Sequence, residues 1–273
     1  MENDISVAFL YGTFIGRLAL KGILWTHLDL LIIFFLRSRL SHSYMIHYAK
    51  KHGIALSMQK LQQYRTFHDF FIRHNPSIAY DPNPLHVISP CDGYLSVYDI
   101  TEDGPLAIKG SHYGLEDILP CDSLATKFHG GLCLVFRLCA SDYHRYIYID
   151  DGYQHGNHFI EGQLHSVQPI ACKTYPVYAL NRRSWTIMDT RHFGSIAQIE
   201  IGALIVGGIV NNKENTHFHR GEEKGHFELA GSTIVILFEQ DTITLLPQYA
   251  SILGKEKELR VKQGAWLASR RKS

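Results

Sequence analysis

Gly225–Glu239 reads GHFELAGSTIVILFE, and its two halves call for different structures. Ile234–Phe238 is an unbroken apolar run of strand length and strand composition. Ahead of it, Gly221–Gly225 (GEEKG) is charged and bounded by glycines, which predicts an exposed turn. Gly231, Ser232 and Thr233 lie between. The segment therefore describes a loop tipping into a buried strand, with a small Gly-Ser joint at the rim. Glycine admits backbone conformations that other residues resist, so the Ser232 hydroxyl can be turned back on the carbonyl of Gly231. Given a base, attack there converts the amide to an ester. Elimination at the serine then cuts the chain, and hydrolysis of the dehydroalanine leaves a pyruvoyl ketone on the new N-terminus. Most Gly-Ser-Thr tripeptides are ordinary turns, so the surroundings have to decide between the two readings.

Composition narrows the field. The chain has 273 residues, 45% hydrophobic and 19% charged, enough for a sizeable core. A formal net charge of +1 gives no general case for binding nucleic acid. The five cysteines, Cys91, Cys121, Cys133, Cys139 and Cys172, form no Cys-x-x-Cys pair. Their odd number argues against a disulfide framework and fits a reducing compartment. The N-terminus lacks a basic leader followed by a small-residue cleavage site, so no secretory signal is expected.

Residues 5–40 are the most apolar part of the chain. Leu28–Leu36, LDLLIIFFL, is interrupted by Asp29 and ends at Arg37 and Arg39. It is shorter than the roughly 20 residues a spanning helix needs. Such a helix either packs on the protein's own core or lies in a membrane interface. Leu61, Tyr64, Phe67, His68 and Phe71 recur at helical spacing, which predicts an amphipathic helix within 41–75 with Phe70 and Phe71 as core anchors. Asn75–Pro84 holds Pro76, Pro82 and Pro84 and reads as a linker. The expected organisation is α+β: a helical, membrane-associating region over 1–84, then a mainly antiparallel β body over 85–273.

In the body, Val87–Val97 (VISPCDGYLSV) places Asp92-Gly93 where a hairpin is expected. Leu132–Cys139 reads as a buried strand. Tyr146, Tyr148 and Asp150 alternate with Ile147 and Ile149, which predicts a two-faced strand entered at His144. Gly162–Pro169 is expected to continue the sheet, and Ile196–Ile209 to form two short strands about Gly202. Gly207 and Gly208 suit close backbone approach, and Val261–Trp266 a terminal hairpin.

Several of these stretches, taken in order, resemble the phosphatidylserine decarboxylase family. They are Thr66–Arg73 (TFHDFFIR), the Pro-Cys-Asp-Gly turn, Ile108–Leu119 (IKGSHYGLEDIL), the Asp-Tyr-His-Arg motif at 142–145, Gly162–Pro169, Asn181–Gly208 and Phe218–Glu239. The resemblance covers roughly residues 60–270. It implies self-cleavage between Gly231 and Ser232, with Ser232 as nucleophile and then as the covalent pyruvoyl cofactor. It assigns Asp92 and His144 to the processing triad, with Ile108–Leu119 helping to shape the substrate pocket. It implies a carboxy-lyase in which the pyruvoyl ketone forms a Schiff base with phosphatidylserine, takes up the electron pair left by carbon dioxide and releases phosphatidylethanolamine. The expected partners are phosphatidylserine in the membrane and the two cleaved chains as a heterodimer, peripheral at the cytoplasmic face. Whether that heterodimer oligomerises further is left open.

Two departures stand out. Ala230 occupies a position where leucine is common. Ile147 stands where many members carry a second histidine, usually assigned as the base. His144 is the leading candidate for that role, with His158 and His165 as alternatives. Three other readings compete. The 17 histidines include His217-x-His219 near His226, but no His-Glu-x-x-His occurs, and no metal is expected. Gly-x-Ser-x-Gly is absent, which disfavours a serine hydrolase. A decarboxylase-like protein that binds lipid without cleaving itself is the alternative that Ile147 supports.

Overall fold

The computed structural model describes residues 5–26, 28–54, 56–75, 79–101, 106–108, 111–203, 208–229 and 232–271. Gly231, Ala230 and Gly207 lie outside the described residues.

Six helices come first: α1 (Ile5–Gly12), α2 (Phe14–Thr26), α3 (Leu28–Arg37), α4 (His42–Lys51), α5 (Met58–Leu61) and α6 (Phe67–Phe71). The helical, amphipathic stretch expected over 41–75 folds as α4, α5 and α6. Gly53, at φ +61°, ends α4 in a conformation that glycine adopts without strain. Thr66 starts α6 afresh by accepting a hydrogen bond from Asp69 N at 3.0 Å. The periodicity survives in the packing, because Leu61, Phe67, Phe70 and Phe71 share one cluster with Met45, Tyr48 and Leu229. On α3, Ile33 and Leu36 pack against that cluster, while Leu30, Leu31, Phe34 and Phe35 face outward. On α1, Tyr11 is buried in the β body, where its hydroxyl accepts from Ser166 N at 2.8 Å.

The body begins with β1 (His86–Ile88), β2 (Gly93–Asp99), β3 (Leu106–Ile108), β4 (Ser111–Tyr113) and β5 (Leu132–Leu138). It continues with β6 (Arg145–Ile147), β7 (Gly152–Gln154), β8 (His158–Ile160), β9 (Arg183–Thr190), β10 (Gly194–Ile201), β11 (Ile209–Asn211) and β12 (Thr216–Phe218). The last strands are β13 (Glu223–Phe227), β14 (Ser232–Phe238), β15 (Ile243–Leu245), β16 (Leu259–Val261) and β17 (Trp266–Arg270). A 9-stranded sheet runs β12-β7-β9-β10-β14-β5-β2-β16, with β8 beside β9. Smaller sheets are β1-β17-β15, β11-β13-β6 and β3-β4. Among the described residues every strand pairing is antiparallel, and with the helices this makes the fold α+β.

β14 lies inside the large sheet, between β10 and β5. Ile234, Ile236 and Phe238 enter one core cluster, Val235 and Leu237 the other. Burial on both faces accounts for the unbroken apolar run.

Some local expectations fail. Asp92-Gly93 does not close a hairpin, since β1 pairs with β17 and β2 with β5 and β16. The turn instead passes the chain between two sheets. A Cβ on Gly93 would meet Arg137 O at 2.7 Å, so only glycine fits there. Gly162–Pro169 contributes one bridge, Gln163 to Asn181, and no strand. β16 and β17 pair with different strands, so Val261–Trp266 is a crossing and no hairpin. Tyr146 to Asp150 are all buried, with Tyr146 to Ile149 in one core cluster, so the expected second face is not exposed. The GEEKG turn is real at Gly221, φ +78°, but Lys224 within it is wholly buried.

Candidate active site

The large sheet brings three distant segments to one end. Ser232, the first residue of β14, lies opposite Leu138, the last residue of β5. Tyr94 lies opposite Arg137, so Asp92-Gly93 enters β2 at the same end. The Cys139–Tyr143 loop leaves β5 there and delivers His144 to the start of β6. Asp92, His144 and Ser232 thus belong to neighbouring chain segments.

Ser232 is buried, and its Oγ has no hydrogen-bond partner among the described residues. Thr233 Oγ1 is in the same condition. An unsatisfied buried hydroxyl costs about 1–3 kcal/mol.

His144 is fully buried. Its Nδ1 lies 2.9 Å from the backbone oxygen of Asp142. A carbonyl only accepts, so Nδ1 carries a proton, which leaves Nε2 as the basic nitrogen whenever the ring is neutral. The Asp142 carboxylate accepts from Cys139 N at 2.7 Å and from Arg260 Nη1 at 3.0 Å, which fixes the loop that presents the ring. The Asp92 carboxylate accepts from Gln263 N at 2.9 Å and from Lys262 Nζ at 3.1 Å. Asp92 and Asp142 are therefore both held by residues that follow Ser232 in sequence.

A buried ion pair shares the face of β14 that carries Ser232. Lys224 Nζ donates to Glu200 Oε1 and to Asn211 Oδ1, each at 2.8 Å. Glu200 lies opposite Ile234, on the same side of the sheet as Ser232. Burial lowers the Lys224 pKa, and Glu200 opposes that shift. This pair had no signal in the sequence, because its members are 24 residues apart and sit in unrelated patterns.

The alternative bases stand elsewhere. His158 is on β8, beside β9, which is separated from β14 by β10. Three strand spacings put it about 14 Å away, and its ring stacks on Trp185 at 4.0 Å. His165 bonds Tyr11 and Gln163 and stacks on Tyr175, on the opposite side of the sheet from Ser232. His217 on β12 packs against Tyr153. Among the described residues no three His, Cys, Asp or Glu side chains converge as metal ligands.

Residues 67–266 match the family model described as phosphatidylserine decarboxylase. The chain is 37% identical over 259 residues to phosphatidylserine decarboxylase proenzyme 2 of Clostridium acetobutylicum, covering 94% of this chain and 89% of that protein. It is 37% identical over 200 residues to the proenzyme of Clostridium beijerinckii, covering 70% and 67%. It is also 37% identical over 199 residues to that of Desulfitobacterium hafniense, covering 71% and 67%. With the family match running from α6 to the start of β17 and a relative aligned over 94% of the chain, the chain belongs to the phosphatidylserine decarboxylase family of carboxy-lyases.

Proposed function

We propose that the chain cuts itself between Gly231 and Ser232 and, as two associated chains, decarboxylates phosphatidylserine at the cytoplasmic face of a membrane. The observation that carries this reading is the buried, unsatisfied Ser232 Oγ at the sheet end where His144 arrives with its Nδ1 held by the Asp142 carbonyl.

In maturation His144 Nε2 takes the Ser232 proton and Oγ adds to the Gly231 carbonyl. The amide bond breaks, its nitrogen takes a proton, and an ester joins the two residues. Loss of the Ser232 α-proton expels the Gly231 carboxylate and leaves dehydroalanine. Water then displaces ammonia, giving the pyruvoyl group. Ser232 is suited to this conversion because no hydrogen bond within the described structure ties its hydroxyl down. The pyruvoyl group supplies an electron sink for decarboxylation. His144 Nε2 supplies the proton that the substrate carbon needs, a contribution of roughly 10²–10⁴ in rate. Asp92 orders the entrance to β2.

Outward-facing Phe14, Ile15 and Leu18 on α2 and Leu30, Leu31, Phe34 and Phe35 on α3 support membrane seating. No helix among the described residues is long and apolar enough to cross a bilayer. Five free thiols support a reducing compartment.

Intact mass under denaturing conditions, with carbon dioxide release from phosphatidylserine vesicles, tests the proposal. Wild type should give chains divided at Gly231 and Ser232, the second with an N-terminal pyruvoyl mass. Ser232→Ala should remain one chain and release nothing. One uncut chain from folded, vesicle-exposed wild type would refute the reading.

A further inference from the structure

The crossing between β16 and β17 grips both segments that the candidate site needs. Gln263 is buried, and its backbone N–H donates to Asp92 Oδ1 at 2.9 Å. Its side-chain Nε2 donates to Pro90 O and to Arg145 O, both at 2.9 Å. Both partners are carbonyls, which fixes the orientation of the amide, since only an NH₂ group can satisfy two acceptors. Pro90 precedes the Asp92 turn, and Arg145 follows His144 directly. Ile147 N also donates to Pro90 O at 3.0 Å, so the two segments are in contact, and the Gln263 amide closes the contact from the side. Arg260 on β16 and Lys262 in the crossing hold Asp142 and Asp92.

We propose that Gln263 is a positioning residue for self-cleavage: its amide sets the spacing between the Asp92 turn and the His144 strand. The inference rests on the self-cleavage reading above and adds a residue beyond the processing triad. Gln263 follows the cleavage bond, whereas Asp92 and His144 precede it. The small chain therefore carries the clamp and the large chain the clamped groups. The amide stays in place across the cut, so it serves the same histidine in turnover.

The test follows cleavage by denaturing gel after cell-free translation with vesicles, for wild type, Gln263→Leu and Gln263→Glu. Gln263→Leu keeps the bulk and the backbone N–H but removes both side-chain donors. It should slow cleavage by about tenfold or more, the scale expected when reacting groups lose their alignment. Gln263→Glu presents a carboxylate to two carbonyls at about pH 8, and a donating carboxyl once protonated near about pH 5. Its rate relative to Gln263→Leu should therefore rise as pH falls. Val177→Ala, in the other core cluster, controls for lost stability and should cleave at the wild-type rate.

Three results would overturn the proposal. Gln263→Leu could cleave within about twofold of wild type, too little for lost alignment. The two Gln263 variants could share one pH profile. Val177→Ala could slow as much at equal loss of melting temperature, which would make the Gln263 effect one of stability. An uncut wild type would instead remove the self-cleavage reading, and this inference with it.

Discussion

The ring of Phe71 lies on the imidazole of His144, with centroids 4.1 Å apart and planes inclined at 34°. The helical region is therefore a wall of the candidate site. His144 is held between that ring and the Asp142 carbonyl, so its position depends on α6 as much as on β6. Phe71→Leu preserves an apolar contact but removes the flat surface. It should slow self-cleavage by about tenfold through misorientation of the ring. Phe71→Ala should also lower stability by about 3–5 kcal/mol, the usual cost of emptying a buried aromatic site. A gel time course and a urea titration separate the two effects. Cleavage of Phe71→Leu at the wild-type rate would show that the ring contact is packing alone.

The tautomer of His144 leads to a second expectation. His144→Ala should stop cleavage, while His158→Gln and His165→Gln should leave its rate unchanged. His158 is about 14 Å away by strand count, and His165 is on the other side of the sheet. Ile147→His should not help. Ile147 is buried in an apolar cluster, so an imidazole there costs about 1–3 kcal/mol unless it finds a partner. Normal cleavage by His144→Ala would return the base to an unassigned residue.

What the sequence made legible follows from where each signal resides. β14 and β5 could be read directly, because strands covered on both faces leave continuous apolar runs. Phe70 and Phe71 could be read as anchors from helical spacing, though not the contact of Phe71 with His144. The Ser232 joint and the Asp92 turn carry local composition. The Asp142 carbonyl left no trace, since any residue offers a carbonyl. Gln263 was equally silent, because its partners are backbone oxygens in segments remote from it. Lys224 misled: a charged residue between glycines reads as exposed, and only its reach to Glu200 reverses that.

Mild acid should destabilise the fold through three buried histidines. Burial lowers the pKa values of His68, His165 and His226, and neighbouring arginines lower those of His68 and His226 further. In the unfolded chain these rings titrate near about 6.5. Below that pH the unfolded state binds protons that the folded state refuses, so stability falls as pH falls towards the lowered folded values. Above it, both states are neutral at these sites and their contribution is flat. Urea midpoints of uncut Ser232→Ala should thus decline between about pH 7 and about pH 5. His226→Gln should flatten part of that decline. A midpoint that holds or rises over the same interval would contradict it.

The Lys224–Glu200 pair ties β13 to β10 from a wholly buried position. Its stabilising value depends on both members. Lys224→Met leaves a buried carboxylate without its cation, and should cost about 3–5 kcal/mol in the Ser232→Ala background. Lys224→Met with Glu200→Leu should cost clearly less than that, because both charges have gone. A urea-based double-mutant cycle measures the difference. A loss in the double variant equal to the sum of the Lys224→Met and Glu200→Leu losses would mean that the pair is uncoupled.

The outward face of α2 and α3 makes the last prediction. Phe14 is 77% exposed and Phe34 76%, and Leu40 just beyond is 80% exposed. Inward residues of α3 already cover the helical cluster, so these side chains serve no core. Burying each phenylalanine in acyl chains would contribute about 1.5–3 kcal/mol. Arg17, Lys21 and Arg39 stand on the same helices and the turn after them, where each adds about 1 kcal/mol near an anionic surface. Uncut Ser232→Ala should therefore float with phosphatidylserine-containing vesicles and bind them less at high salt. Adding Phe14→Asp and Phe34→Asp should leave it in the aqueous fraction with its melting temperature unchanged. Flotation undiminished by the two aspartates would mean that another surface meets the membrane.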